Sequence, residues 1–210
     1  DINEMVNVVS KYKIKLNCLI NNAGTILFKK SYNSVGIEKV FATNHLGPFY
    51  LTNRLLEKNL IRAGGRIINV GSSAHQTAVL DFNNLDSSNS KSWYERYSRS
   101  KLCNLLFTLK LSEKLTEKNI SVNCVHPGIV NTNIGQDHKG VLQFIIRLVL
   151  KYRGISPEEG ADTLVYLATN ETVQKVSGKY FVKRSESNPS KEALNWDVAD
   201  RLWRESNVMI

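Results

Sequence analysis

Apolar residues along the chain recur in two ways, as short unbroken runs and as long stretches of helical period. The runs are "LNCLINNAG" at 16–24, "GRIINVGS" at 65–72, "ISVNCVHPG" at 120–128 and "GKYFV" at 178–182. Near-continuous apolar character over so few residues predicts strands of a parallel sheet buried on both faces. Between them, 37–58, 94–118 and 157–169 carry the helical period. In the last of these Ser156 can cap the helix, Pro157 takes its first position, and Glu158 and Glu159 fill the first turn. Strands alternating with long helices predict an α/β fold built on a doubly wound parallel sheet. In such sheets ligands bind beyond the carboxyl ends of the strands. Those ends carry "NNAG", "GSSAH" and "HPG". The polar stretches 81–92 and 183–191 read as loops, and the chain has no internal repeat.

Composition narrows the classes. With 210 residues, 42% hydrophobic and 22% charged, the chain reads as one globular domain over 1–210. Its 28 Lys and Arg outnumber 19 Asp and Glu, for a formal charge of +9. These basic residues are scattered in groups such as "KYKIK" and "KK", which describes a solvated surface and no nucleic-acid motif. Cys18, Cys103 and Cys124 lie in apolar segments without metal-ligand spacing, and an odd number closes no disulfide framework. A reducing, intracellular setting with no metal site is expected. "DINEMV" has neither the basic region nor the apolar core of a signal peptide, and no apolar run reaches the roughly 18 residues of a membrane span.

Candidate chemistry begins in the helix at 94–118, whose apolar stripe is Leu102, Leu105, Leu106, Leu109 and Leu115. In "YSRSK", Tyr97 and Lys101 stand four positions apart and project from one face. A free phenol titrates at about pH 10, so acid–base work near neutrality calls for stabilised phenolate. An adjacent ammonium supplies a field of that sign. In so basic a chain roughly one Tyr-x-x-x-basic pair arises by chance, and alone the pair reads as two exposed side chains. Ser72, at the end of "IINV", can bring a hydroxyl to the same crevice to bond a substrate oxygen. Asn44 falls mid-helix, where Asn is mildly unfavourable and needs a polar reason. A buried Asn there can hold a water linking the lysine to solvent.

Taken in chain order, Asn44, Ser72, Tyr97 and Lys101 resemble the catalytic tetrad of the short-chain dehydrogenase/reductase family. "NNAG" at 21–24 and the pair Pro127 and Gly128 resemble the family's motifs after its fourth and sixth strands. Each motif is weak alone, but their order at strand ends is specific. The resemblance implies a Rossmann fold with these four residues as catalytic groups. "GSS" offers two serines, and aligning "NVGSSAH" with the family's "NVSSxAH" makes Ser72 the catalytic one and puts Gly71 at the first serine. His75 belongs to the same strand-end signature, and Tyr94 has no basic residue four positions on.

The resemblance also implies a nucleotide site. Lys101 would bond the ribose hydroxyls beside Tyr97, with Asn22, Ala23 and Gly24 near the adenosine side. Pro127, Gly128, Ile129 and Val130 would bound the nicotinamide, and Thr132 would meet its carboxamide or a phosphate. "TNHLGPFYLTNRLL", "YSRSKLCNLLFTLKL", "VHPGIVNTNI" and the long Ser72-to-Tyr97 interval containing "LDFNNL" resemble the retinol dehydrogenase branch. That branch implies a retinaldehyde-like or other lipophilic carbonyl or alcohol as substrate, with NADP(H) rather than NAD(H). It also implies a homodimer by analogy, and a place in the cytoplasm or on the cytoplasmic face of the endoplasmic reticulum, with any anchor outside this chain. "VLQFIIRLVLKY" at 141–152 leaves three readings open: a cap on a lipophilic pocket, peripheral contact with a membrane, or a buried helix.

The family's Gly-rich turn, TGxxxGIG, whose amides hold the pyrophosphate, does not occur in the 210 residues. Nor does the residue after the second strand that separates NAD from NADP. Two expectations follow. The favoured one is an incomplete sequence of a working reductase, because a sheet without its central first strand exposes an apolar edge. The other is a truncated, non-catalytic member acting as a binding or dimerisation partner.

Overall fold

A computed structural model describes residues 1–130 and 154–210. It opens with a helix absent from the sequence reading, α1 (Ile2–Lys11), started by a capping box in which Asp1 accepts the Glu4 amide while Glu4 reaches back to Asp1. The strands are β1 (Leu16–Asn21), β2 (Ile61–Val70), β3 (Ser121–His126) and β4 (Tyr180–Val182), paired in parallel in that order. β5 (Ser185–Ser187) returns antiparallel on β4. It lies inside the stretch read as a loop at 183–191. Lys183 and Arg184, both at positive φ, make a two-residue hairpin turn without the Asn or Gly that usually signals one.

The helical segment expected at 37–58 contains α2 (Lys39–Phe41), a π-helical turn (Ala42–Leu46) and α3 (Gly47–Glu57). α4 (Trp93–Lys114) and α5 (Pro157–Thr169) follow, the latter capped by Ser156 in a second capping box. A C-terminal helix, α6 (Trp196–Val208), is a further element the sequence reading lacked; its N-cap is Asn195. No helix among the described residues is long and apolar enough to cross a membrane.

Alternate strand residues feed opposite layers. Ile67 and Val122 pack with Phe49 and Leu55 of α3 and Phe107 and Leu111 of α4. Ile68, Val70 and Val125 pack with Leu164 and Leu167 of α5. Helices therefore cover both faces, and the fold is the doubly wound parallel sheet. α4 is buried all round rather than along one stripe: every residue from Ser100 to Leu109 is buried, and Leu102, Leu105 and Leu106 belong to the cluster of Ala199 and Leu202 from α6. A buried polar ladder fixes the strand ends beneath the site. Asn21 Nδ2 donates to Thr52 Oγ1 (3.0 Å) and Asn69 Oδ1 (2.8 Å), and Asn69 Nδ2 donates to Thr108 Oγ1 (2.9 Å).

The π turn buries His45 completely among Phe41, Phe49 and Phe107, with Nε2 2.8 Å from Ser206 Oγ. Burial pushes its pKa down to about 3. The unfolded imidazole titrates at about 6.5, so between that pH and 3 the unfolded chain binds a proton that the folded one refuses. Stability carried by neutral His45 is thus lost as pH falls through this window. Urea unfolding at pH 7 and pH 5 should show a fall of about 2 kcal/mol that a His45→Gln variant lacks.

Candidate active site

The carboxyl ends of β1, β2 and β3 share one edge of the sheet, because Asn21 pairs with Asn69 and Val70 with Val125. Beyond β2 the chain passes Gly71, where a Cβ would stand 2.6 Å from Cys124 Sγ. This explains why Gly stands where the family resemblance placed a first serine. Ser72 follows in extended conformation and caps the short 3-10 turn Ser73–Thr77, its Oγ accepting the Ala74 amide at 3.2 Å. Ser73 is exposed, whereas Ser72 is half-buried and its hydroxyl acts on the Tyr97 phenol, drawing its pKa down.

Tyr97 and Lys101 occupy successive turns of α4, whose start is capped by Ser92 accepting the Glu95 amide. Tyr97 is half-buried and Lys101 only 5% exposed, so the pair is not two solvated surface groups. Lys101 Nζ donates to Val70 O at 2.9 Å, an acceptor it shares with Asn104 Nδ2. Burial pulls its pKa down to about 8, opposed by the field of Cys124. Burial also pushes the Tyr97 phenol above its ordinary value; the Ser72 bond draws it back and the neighbouring Tyr94 adds to the rise.

The sequence-based expectation that Lys101 stabilises phenolate therefore does not describe this state. Nζ is turned to the Val70 carbonyl and lies 5.8 Å from the centroid of the Tyr97 ring, and desolvation prevails. The phenol is a protonated donor across the neutral range.

Asn44 is fully buried in the π turn, an element often found at functional positions. Its side chain imitates a neighbouring strand, accepting from Thr25 N (2.7 Å) and donating to Thr25 O (3.0 Å). The other amide hydrogen goes to Ser100 Oγ (3.0 Å), which itself donates to Tyr97 O (2.7 Å). Both amide hydrogens are committed to protein, so the side chain clamps the segment after "NNAG" to α4 rather than donating to a water.

Around this cluster Asn22 and Ala23 are exposed. At Gly24 an added Cβ would approach Asn44 Oδ1 (3.4 Å) and Lys101 Nζ (3.5 Å). Beyond β3, Gly128 has φ +92 and no room for a Cβ, which would meet Ile155 Cδ1 at 2.8 Å. Ile129 is exposed and Val130 bridges to Ile155. Thr132 and the stretch 141–152 lie outside the described residues.

Two supporting residues, Ser100 and Arg96, escaped the sequence reading, and His75 entered it only as part of the strand-end signature. Ser100 carried a faint signal, since a mid-helix serine often bonds back along its own helix. Arg96 is buried by partners far away in the chain and carried none, and the partner of His75, Ser190, is equally distant.

The sequence profile of the short chain dehydrogenases matches residues 1–140. The chain belongs to this family. Retinol dehydrogenase 14 of Homo sapiens is 40% identical over 198 residues, which cover 93% of this chain and 59% of that protein. Retinol dehydrogenase 13 of Homo sapiens is 38% identical over 225 residues, covering 100% and 65%. The chloroplastic short-chain dehydrogenase TIC 32 A of Brassica napus is 38% identical over 200 residues, covering 90% and 62%. The chain thus resembles the retinol dehydrogenase branch and spans 59–65% of the length of these curated relatives. Among solved structures, an uncharacterized protein of Mycobacterium paratuberculosis superposes with a TM-score of 0.72 at 26% identity, over 97% of this chain and 71% of that one. The angucycline C-6 ketoreductase LanV with bound NADP gives 0.64 at 22% identity, over 86% and 68%, and shares the fold.

Proposed function

We propose that the protein interconverts a lipophilic carbonyl compound and its alcohol with NADP(H), Tyr97 handling the proton. The observation that carries this is the placement of Ser72, just beyond β2, and Tyr97 of α4 with interacting hydroxyls beside a buried ammonium. The residues present fit a dinucleotide: Asn22 and Ala23 are exposed and Gly24 offers a side-chain-free approach on the adenosine side, while Lys101 stands at the nicotinamide-ribose half. Pro127, Gly128 and Val130 would bound that half on its other side, and Thr132 would complete it. The nucleotide, when bound, exchanges the hydride.

The residues of the chain do the rest. Ser72 and Tyr97 both bond the carbonyl oxygen, and Tyr97 passes its proton to that oxygen as negative charge develops there. Lys101 brings a positive charge that needs little rearrangement at the moment of reaction. Asn44 keeps Thr25 and α4 in register through Ser100. NADP(H) and a retinoid-like substrate are drawn from the likeness to the retinol dehydrogenases.

Retinaldehyde supplied with NADPH should yield retinol with equal consumption of the nucleotide. Consumption with NADH alone reassigns the nucleotide, and none with either overturns the proposal. The pH profile adds a second test. Lys101 gives up its proton near pH 8 in the free protein, so kcat/KM should fall as pH rises above about 8. A profile flat to about pH 10 would remove Lys101 from the reaction.

A further inference from the structure

We propose that His75 is a positioning residue that sets the Ser72 hydroxyl and couples it to the C-terminal segment around Ser190. The idea that Ser72 meets substrate rests on the reading above; the coupling itself rests on geometry. Gly71 leaves the exit of β2 with no side chain to anchor it, so the direction taken by Ser72 depends on hydrogen bonds. One runs from the Gly71 amide to Val125 O at 2.8 Å. Two more hold the Ser72 carbonyl, which accepts the His75 main-chain amide at 3.2 Å and lies 2.5 Å from His75 Nδ1.

The opposite nitrogen fixes the tautomer. His75 Nε2 accepts the Ser190 amide at 3.2 Å, so Nε2 is bare and Nδ1 carries the proton that Ser72 O receives. The ring is wholly buried, with the Tyr180 ring edge-on at 5.0 Å, which leaves it no alternative placement. Burial also holds the imidazole neutral, as an accepting Nε2 requires. Next in sequence, Gln76 Nε2 donates to Asn188 O at 3.2 Å, a second tie between the same turn and the same segment. A shift of 188–190 is therefore delivered through one rigid ring to the Ser72 carbonyl, two residues beyond the strand end.

The Ala74 amide, which donates to Ser72 Oγ, reports where that hydroxyl points. Amide hydrogen exchange on the protein and on two variants uses this reporter. His75→Asn places an amide donor where Nδ1 stands and leaves Ser190 without an acceptor. His75→Gln places an acceptor near Nε2 and leaves Ser72 O with only the His75 main-chain amide, 3.2 Å away. The expected patterns are opposite: about tenfold faster exchange at Ser190 alone in His75→Asn, and at Ala74 alone in His75→Gln. Unchanged Ala74 exchange in His75→Gln, or the same pattern in both variants, overturns the inference.

Turnover of retinaldehyde with NADPH reads the consequence for Ser72. His75→Gln should lower kcat about tenfold with KM within about twofold, and His75→Asn should keep kcat within about threefold of the parent. Equal kcat losses in the two variants contradict the positioning role. If the parent protein turns nothing over, the reductase reading fails while the exchange patterns still decide the coupling.

Discussion

Replacing Tyr97 by Phe is expected to lower turnover by about a thousandfold, the middle of the range for a positioned proton donor. Only the phenolic oxygen is removed. The ring still fills its half-buried place on α4, so unfolding free energy should stay within about 1 kcal/mol of the parent, the worth of one hydrogen bond to Ser72. Nucleotide affinity should change little, because Lys101 Nζ is held by Val70 O rather than by the phenol. Steady-state kinetics with a nucleotide titration separates the outcomes. A Tyr97→Phe variant that keeps about a tenth of the parent's kcat would mean the proton comes from elsewhere.

Arg96→Met should produce the largest loss of stability. This guanidinium is 2% exposed, one residue before Tyr97. Nη2 donates to Leu27 O (2.9 Å) and Phe28 O (3.0 Å), Nη1 donates to Ser90 O (3.2 Å), and Nε lies 3.5 Å from Oε1 of the fully buried Glu38. It thereby ties the segment after "NNAG", the approach to α4 and the start of α2 into one unit. Removing one partner of a buried ion pair costs about 3–5 kcal/mol, because the other charge stays behind.

Glu38→Gln should cost less, about 1–2 kcal/mol. Burial already pushes the Glu38 carboxyl up, and the amide oxygen of Gln can still accept the Val40 and Phe41 amides that Glu38 caps. Urea unfolding of the two variants at pH 7 compares them directly. Equal losses would mean that the Arg96 carbonyl contacts contribute nothing beyond the ion pair.

Local pattern made the strands, α4 and α5 legible, since apolar runs and capping residues act over neighbouring positions. The shared face of Tyr97 and Lys101 was legible from helical spacing and the place of Ser72 from the end of an apolar run, while joining them with Asn44 took the family resemblance. What depended on distant partners was not. Lys101 turns away from the phenol because Val70, 31 residues earlier, offers a carbonyl. His75 finds Ser190 across 115 residues, and Arg96 finds Leu27 across 69. β5 was hidden because Lys183 and Arg184 occupy a turn where Asn or Gly would have announced it. α1 and α6 did carry local signals, their Asp1 and Asn195 caps, but those segments lie outside the alternation of strand and helix that organised the reading.

The central claim is that the cluster at the strand ends joins a proton from Tyr97 to a hydride from a bound nucleotide. Following the hydride tests it most directly. Retinaldehyde is incubated with the protein and NADPH deuterated at both C4 positions, in ordinary water, and the retinol is analysed by mass spectrometry and NMR. The account predicts deuterium on the carbinol carbon with the parent protein, and about a thousandfold slower formation of that labelled retinol with Tyr97→Phe. Retinol without deuterium, or labelled retinol formed as fast by the variant, would contradict it.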